Sequence, residues 1–210
     1  MVGTKSPARV RAKRLCAGGE RSSPNAVFLV GFMGAGKSSV GRALAQQLNW
    51  SFEDLDNRIE TREGRTVADI FRDLGEREFR RAEQAALQEL LDELRGGRVR
   101  VVALGGGAFV QEENAMLLKA SGLPTIFLDA PVEELWQRCL KQASEAGAER
   151  PLLRSQEQFV ELYNTRRKTY ARASMRIRTG SRVVEVIADE IAKKLGLRKI
   201  GIRAEEGEVE

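Results

Sequence analysis

Short apolar runs recur along the chain, and segments with helical periodicity separate them. The runs that predict β-strands are AVFLVG (26–31), SFEDLD (51–56), RVRVVALG (98–105), PTIFLDA (124–130) and the weaker MRIRT (175–179). The segments that predict helices are 37–48, 76–95, 131–142, 156–172 and 183–195, and in the second of them the apolar residues recur at steps of one, three and four. This alternation predicts an α/β fold with a parallel sheet covered on both faces. Residues 143–155 interrupt it and predict a mobile surface loop.

The charge of the chain divides it into three parts. The formal charge is +5, and residues 1–26 account for all of it with six Lys or Arg and one Glu. We therefore expect residues 1–25 to be a disordered basic extension, 26–197 to form one domain, and 198–210 to be a polar tail. A targeting segment and an electrostatic arm remain alternative readings of the extension. The neutral domain argues against nucleic acid as a partner.

Composition excludes several kinds of site. The chain has no histidine, so His-based triads and His-containing zinc sites are excluded, and its two cysteines, Cys16 and Cys139, fit no metal-binding spacing. No apolar run is long enough to predict a membrane span. We expect a soluble cytoplasmic protein.

The sequence GFMGAGKS (31–38) fits the phosphate-binding pattern G-x-x-x-x-G-K-[ST] between a strand and a helix. Glycines let successive backbone N–H groups face one anion, and the start of the helix adds partial positive charge. Lys37 would reach the β- and γ-phosphates, and the Ser38 hydroxyl would ligate Mg²⁺. The residues predicted to bind ATP here are Gly34, Ala35, Gly36, Lys37, Ser38 and Ser39.

Two carboxylates, Asp54 and Asp56, end the second predicted strand, so they are expected at the sheet edge where open α/β folds bind ligands. Asp54 can hold Mg²⁺ or its water, and Asp56 can accept the hydrogen bond or proton of an acceptor alcohol. The alternative for Asp56 is a structural role as the N-cap of the following turn.

A larger set of motifs resembles a known family. Six motifs within residues 27–195 occur in the order found in bacterial shikimate kinases. They are GFMGAGKSSVGRALA, FEDLDNRIE, IFRDLGEREFRRAE, ALGGGAF, RPLL and RRKTY. The resemblance implies a P-loop NTPase-type three-layer sandwich with a five-stranded parallel sheet of order 2-3-1-4-5 and a mobile lid at about 143–155. It also implies transfer of the γ-phosphate of ATP to the 3-hydroxyl of shikimate, with Mg²⁺, in the pathway to chorismate and aromatic amino acids. We expect a monomer with no membrane or nucleic-acid partner.

The resemblance also assigns the acceptor site. Arg80 would bind the shikimate carboxylate and Glu83, three residues on, would orient it; an ordinary surface ion pair is the alternative. Arg166 would be the second carboxylate-binding arginine, with Arg167 as a competitor. The triplet Gly105, Gly106 and Gly107 would offer N–H groups to a substrate oxygen, and a plain tight turn is the alternative. An apolar wall for the substrate ring would come from Phe71 and Phe79.

The remaining assignments concern the lid and the adenine site. By resemblance, catalytic Arg150 closes over the γ-phosphate with Pro151 and Leu152, and Arg138 stacks on adenine. Two departures from the family pattern occur: Arg138 and Arg150 are separated by a longer segment than in many relatives, and a proline expected near GSRVV (180–184) is absent.

Two other functions compete with this reading. A gluconate-type kinase would share the P-loop but should lack the paired Arg80 and Arg166. A regulatory or nucleic-acid-binding ATPase would use the basic extension, although no nucleic-acid-binding motif is present.

Overall fold

A computed structural model describes residues 23–146 and 155–199, which form one five-stranded parallel sheet with helices on both faces. The strand order is β2-β3-β1-β4-β5, which confirms the predicted order. The strands are β1 (Ala26–Val30), β2 (Ser51–Asp54), β3 (Arg100–Ala103), β4 (Thr125–Asp129) and β5 (Met175–Arg178). All five predicted strands therefore exist, although the second ends two residues earlier than expected. The predicted extension at 1–25 and the tail at 198–210 lie almost entirely outside the described residues.

Within these two ranges, seven α-helices accompany the strands, and the last of them follows β5. They are α1 (Lys37–Leu48), α2 (Leu55–Glu63), α3 (Val67–Arg95), α4 (Glu112–Ser121), α5 (Val132–Ala146), α6 (Gln156–Tyr170) and α7 (Val184–Leu195), and a short 3-10 helix covers Ala108–Val110. The helix α5 continues through residues 143–146, so the first part of the predicted loop is wrong: ASEA consists of residues that extend a helix. The part of the predicted lid at 147–154 is outside the described residues.

Three helical segments lie outside the predicted ranges: α2, the first part of α3, and α4. The helix α2 begins directly after β2, and α3 begins nine residues before the predicted segment 76–95. Gly75 explains the second difference, because its φ of 80° and ψ of 171° break the helix geometry between the two parts of α3. The predicted segment thus corresponds to the part of α3 that follows the break.

The central strand β1 fixes the position of the phosphate-binding segment. Every residue of β1 is buried, because β3 and β4 pair with its two edges and helices cover its faces. An apolar run without alternation is what such a strand requires. The chain leaves β1 at Val30, so the glycine-rich segment lies at the carboxyl edge of the sheet, in the middle of the strand order.

Four partly buried charges, here called the four-charge cluster, connect β2, α2, α3 and β3. Arg58 pairs with Glu53 at 2.6 Å and with Glu93, and Arg100 pairs with Glu93 at 2.9 Å and also with Glu53. Each arginine bridges the same two carboxylates, so no charge in the cluster lacks an opposite partner. The cluster holds together the elements that carry Asp54, Asp56 and Arg80.

Within residues 23–146 and 155–199, no helix combines the length and apolar character that crossing a membrane would need.

Candidate active site

The phosphate-binding loop connects β1 to α1 and is closed by Lys37. Gly36 precedes α1 in the left-handed conformation, with φ of 88°, which a side chain would disfavour. The Lys37 ammonium donates to the carbonyl oxygens of Gly31 at 3.0 Å and Phe32 at 3.1 Å, so it folds back over the loop. Burial lowers the pKa of Lys37, and the carboxylates of Asp56 and Asp54 oppose this effect. The loop thus carries a positive charge directly beside the start of α1.

Ser38 and Asp54 form a pair of oxygen ligands next to this lysine. The Ser38 hydroxyl donates to Oδ2 of Asp54 at 2.8 Å, while Oδ1 of Asp54 accepts from the backbone N–H of Asp56 at 3.2 Å. Hydroxyl and carboxylate oxygens suit Mg²⁺, which keeps several waters and uses few protein ligands beside substrate phosphates. In the described residues no group of three or more acidic or sulfur ligands could hold a metal by itself. The pair therefore fits a cation shared with a nucleotide, not a closed structural site.

Asp56 lies in the first turn of α2, not in a strand. Asp54 is the N-cap of this helix, so the alternative that Asp56 is the cap is wrong. Burial raises the pKa of Asp56, the neighbouring Asp54 raises it further, and Lys37 and Arg80 oppose the rise. A partly buried carboxylate with a raised pKa beside a phosphate-binding lysine can act as a base towards a bound hydroxyl.

The glycine triplet 105–107 follows β3 and packs directly against two of these side chains. A Cβ atom on Gly105 would overlap Oδ1 of Asp56, and a Cβ atom on Gly107 would lie 2.6 Å from Nη1 of Arg80. Ala108 N–H donates to the Gly105 carbonyl at 3.1 Å, so the segment is also a turn. A turn alone would not require these close approaches, so the alternative of a tight turn does not account for the whole arrangement.

Arg80 and Glu83 pair across one turn of α3, as the sequence predicted. Nη1 of Arg80 donates to Oε2 of Glu83 at 2.9 Å, and a second carboxylate, Glu76, accepts from Nη2 at 3.0 Å. Glu83 is 1% exposed, so this pair is not the ordinary surface ion pair considered as an alternative. Burial raises the pKa of Glu83 to about 7, with Arg80 opposing the rise.

The two predicted wall residues lie beside Arg80. The guanidinium carbon of Arg80 is 5.0 Å from the ring centroid of Phe79 and 5.9 Å from that of Phe71, and the two rings are 4.4 Å apart. Phe79 is buried, while Phe71 is 38% exposed and faces solvent in part. The aromatic pair restricts the guanidinium on one side, which leaves a flat cation beside an apolar surface.

Arg166 and Arg167, which the sequence could not separate, have different partners. Nη1 of Arg166 donates to the Gly106 carbonyl at 3.4 Å. Arg167 instead binds the buried Asp129, with Nη2 3.2 Å from Oδ2. Of the two arginines, therefore, only Arg166 is brought to the glycine triplet.

Arg138 connects the phosphate-binding loop to the segment after β5. Its guanidinium donates to the carbonyl oxygens of Gly34 at 3.3 Å and of Gly180, and to Glu134 at 3.1 Å. These bonds attach Arg138 to the phosphate-binding loop and to the turn after β5, and its contact with adenine stays a prediction. Arg150, Pro151 and Leu152 lie outside the described residues.

Tyr170 also contacts the triplet, and sequence reasoning missed it. Its hydroxyl donates to the Gly106 carbonyl that Arg166 also approaches. The signal was available, since Arg166 and Tyr170 are four residues apart and so share one face of α6.

Three features define a P-loop phosphotransferase of the α/β class. They are the sheet order, the loop with Lys37 at the start of α1, and the Ser38–Asp54 pair. The shikimate kinase family model matches residues 33–196. The chain belongs to the shikimate kinase family.

Individual relatives agree with this assignment. The shikimate kinase of Persephonella marina is 39% identical over 170 residues, covering 80% of this chain and 98% of the relative, and one from Thermus thermophilus is 40% identical over 172 residues, covering 80% and 89%. Among solved structures, shikimate kinase from Acinetobacter baumannii in complex with shikimate has a TM-score of 0.71 at 34% identity, covering 81% of this chain and 92% of that chain. A gluconokinase from Sinorhizobium meliloti reaches 0.50 at 20% identity over 84% and 94%, which shows a shared fold alone.

Proposed function

We propose that this chain transfers the γ-phosphoryl group of ATP to the 3-hydroxyl of shikimate, giving shikimate 3-phosphate and ADP. One observation supports shikimate as the acceptor: two arginines from different helices, Arg80 and Arg166, lie at the glycine triplet beside Asp56. A pair of guanidinium groups suits a small carboxylate, because each can donate two parallel hydrogen bonds. A gluconate-type kinase should lack the paired Arg80 and Arg166, so the presence of both supports shikimate and not gluconate as the acceptor.

In this proposal one set of residues binds ATP and another set binds shikimate. Lys37 and the N–H groups of the loop bind the β- and γ-phosphates, and Arg138 contacts adenine. Arg80, held by Glu83, and Arg166 bind the acceptor carboxylate, and Phe71 and Phe79 limit the volume for its ring. This leaves the hydroxyl of the acceptor on the side of Asp56, between the triplet and Lys37.

Asp56 is proposed to receive the proton of the acceptor hydroxyl as its oxygen bonds to the γ-phosphorus and the bond to the β-phosphate oxygen of ADP breaks. Its raised pKa suits a base, and Lys37 beside it is suited to the charge on the phosphoryl oxygens. Arg150 would add a second cation from the lid. Ser38 and Asp54 would hold Mg²⁺, which neutralises charge on the phosphate oxygens when it is bound.

The metal and base assignments can be separated by two matched amide substitutions. Asp54→Asn should raise the Mg²⁺ concentration that half-maximal activity requires, because it removes a charged ligand. Asp56→Asn should lower kcat at every Mg²⁺ concentration, because it removes the base. Initial rates over a Mg²⁺ series would distinguish them, and the same metal dependence in both variants would show that the two roles are assigned incorrectly.

The acceptor assignment is tested by calorimetry with shikimate and ATP separately. Arg80→Ala and Arg166→Ala should each weaken shikimate binding by about tenfold to a hundredfold, since a charge-assisted hydrogen bond contributes roughly 1.5–3 kcal/mol. ATP binding should change little. Arg81→Ala is the matched control, because Arg81 is exposed on the same helix and pairs with Glu78 at 3.0 Å. Wild-type affinity for shikimate in both variants would contradict the acceptor assignment.

We further propose that the enzyme acts as a monomer in the cytoplasm. All the groups assigned to both substrates come from one chain, so no second copy is needed to complete the site. A single species of monomer mass in size-exclusion chromatography with light scattering would agree with this, and a stable dimer at catalytic concentrations would not.

A further inference from the structure

The central carbonyl of the glycine triplet is bound from α6 by two donors. The Tyr170 hydroxyl and Nη1 of Arg166 both donate to the oxygen of Gly106. We propose that Tyr170 is a positioning residue for the acceptor site: its hydroxyl fixes the Gly106–Gly107 peptide so that the N–H of Gly107 faces the acceptor. This inference rests on the proposed function and assigns a role to a residue that does not itself touch substrate.

The geometry of the peptide gives the reason. A trans peptide is planar, so its C=O and N–H groups point in opposite directions. Because the Gly106 carbonyl points towards α6, the N–H of Gly107 in the same peptide points away from α6. Rotation of this one peptide would therefore replace an N–H donor of the shikimate site with a carbonyl oxygen, which can only accept a hydrogen bond.

All three carbonyls of the triplet are occupied. Gly105 accepts from Ala108 N–H at 3.1 Å, Gly107 accepts from Val110 N–H at 3.0 Å, and Gly106 accepts from α6. Within the described ranges, no protein acceptor is assigned to the N–H groups of Gly105, Gly106 or Gly107. The segment thus uses its acceptors for its own structure and keeps its donors for a ligand. Glycine has no side chain to limit peptide rotation, so the orientation depends on these bonds.

Tyr170 is itself held firmly enough to fix its partner. It is fully buried, and its ring is 5.4 Å from that of Phe127 on β4. Burial raises the pKa of Tyr170 to about 12, so the phenol stays neutral and keeps its proton to donate at any pH where the enzyme works. The ring belongs to the core, while the hydroxyl reaches the edge of the site.

The test compares two identical substitutions on one helix. Tyr170→Phe keeps the ring and removes the hydroxyl, and we expect KM for shikimate to rise about threefold to tenfold, the usual effect of one neutral hydrogen bond. KM for ATP should stay within about twofold. Tyr163→Phe is the control, because its hydroxyl is also buried but donates to Asp129 at 3.1 Å and Ala130 at 3.2 Å, away from the triplet. It should lower thermal stability without changing KM for shikimate.

The outcomes separate the inference from the function it rests on. Absence of wild-type turnover with shikimate would overturn the proposed function. An active wild type with the same KM for shikimate in Tyr170→Phe, or an equal rise in KM for ATP, would overturn only the role of Tyr170.

A second measurement does not need Tyr170→Phe to fold. The chain has two tyrosines, so the Tyr163→Phe protein labelled with ¹³Cζ-tyrosine gives one signal, from Tyr170. We expect this signal to shift when shikimate is added, because the Gly106–Gly107 peptide then gains a hydrogen bond on its opposite side. A signal that does not move at saturating shikimate would contradict the proposal.

Discussion

The nucleotide half and the acceptor half of the site are built in different ways. The phosphate-binding part of the proposed nucleotide half is one continuous segment, Gly31–Ser38, with the local geometry of a glycine-rich turn between a buried strand and a helix. The proposed acceptor half combines Asp56 from α2, Arg80 from α3, the triplet 105–107 after β3 and Arg166 from α6. The first can be recognised in a short stretch of sequence, whereas the second exists only after the whole sheet has formed.

Because of this difference, the two halves should be sensitive to different kinds of substitution. In the loop, backbone N–H groups are expected to bind the phosphates, so we expect a substitution to act mainly through the one side chain that carries charge, Lys37. In the acceptor half, side chains from separate elements meet at the triplet, so a single atom added there can displace one of them and leave the others in place. The three predictions below follow this contrast from the largest effect to the smallest.

Lys37→Ala should give the largest effect. It removes the cation that lies beside Asp56 and Ser38, and we expect kcat to fall by more than about a hundredfold, as for other groups that stabilise developing charge. The fold should remain, because in the part of the chain that the structure describes the hydrogen bonds of Lys37 go to the loop carbonyls of Gly31 and Phe32. Coupled ADP-release kinetics and thermal unfolding would measure both, with the exposed Lys119→Ala as the control. Near-normal turnover in Lys37→Ala would remove the loop from the mechanism.

Gly105→Ala and Gly107→Ala should have smaller and distinct effects. The added Cβ at 105 would displace the Asp56 carboxylate and should lower kcat by about tenfold, whereas the Cβ at 107 would displace the Arg80 guanidinium and should raise KM for shikimate by a similar factor. Steady-state kinetics with both substrates would separate the two. If both variants changed the same parameter, the triplet would be acting through its backbone and not through these two neighbours.

The smallest effect should be a pH dependence that comes from Glu83. Its pKa of about 7 lies above the ordinary 4.5 because the carboxyl is buried. A substrate carboxylate on Arg80 would disfavour the ionised form further, so binding takes up a proton and affinity for shikimate falls as pH rises through about 7. We expect a change of about threefold between pH 6 and 8.5 by calorimetry. Glu83→Gln should flatten this profile, and an unchanged slope in that variant would assign the titration to another group.

Much of the fold could be predicted because the alternation of strand and helix is a strong pattern, and the family resemblance supplied the strand order. Two of the failures lie at the starts of helices, where a capping side chain and not the apolar pattern marks the boundary. FEDLD continues an extended run by composition, yet Asp54 accepts the N–H of Asp56 and starts α2. At the start of α3, Thr66 accepts from Asp69 N–H, which is a capping signal that the sequence contained and that we did not use.

The candidate site shows a different limit. Sequence reasoning named Arg166 and Arg167 together, and two adjacent helical residues point in directions about 100° apart. Which one faces the triplet depends on Asp129, a residue of β4 far away in the chain, which binds Arg167. The spacing of Arg166 and Tyr170 indicates that they share one face of α6, but the partner of the Tyr170 hydroxyl is a backbone carbonyl that carries no sequence signal. Local patterns cannot specify such contacts between distant elements.

The four-charge cluster has a thermal consequence. Removing charges from water becomes less costly as temperature rises, so a paired cluster of this kind contributes more on heating, while hydrophobic stabilisation per unit area levels off. Arg58, Arg100, Glu53 and Glu93 join the elements that carry Asp56 and Arg80. The attachment of these elements to one another should therefore weaken little on warming, and the catalytic geometry should persist until the whole domain melts in one transition.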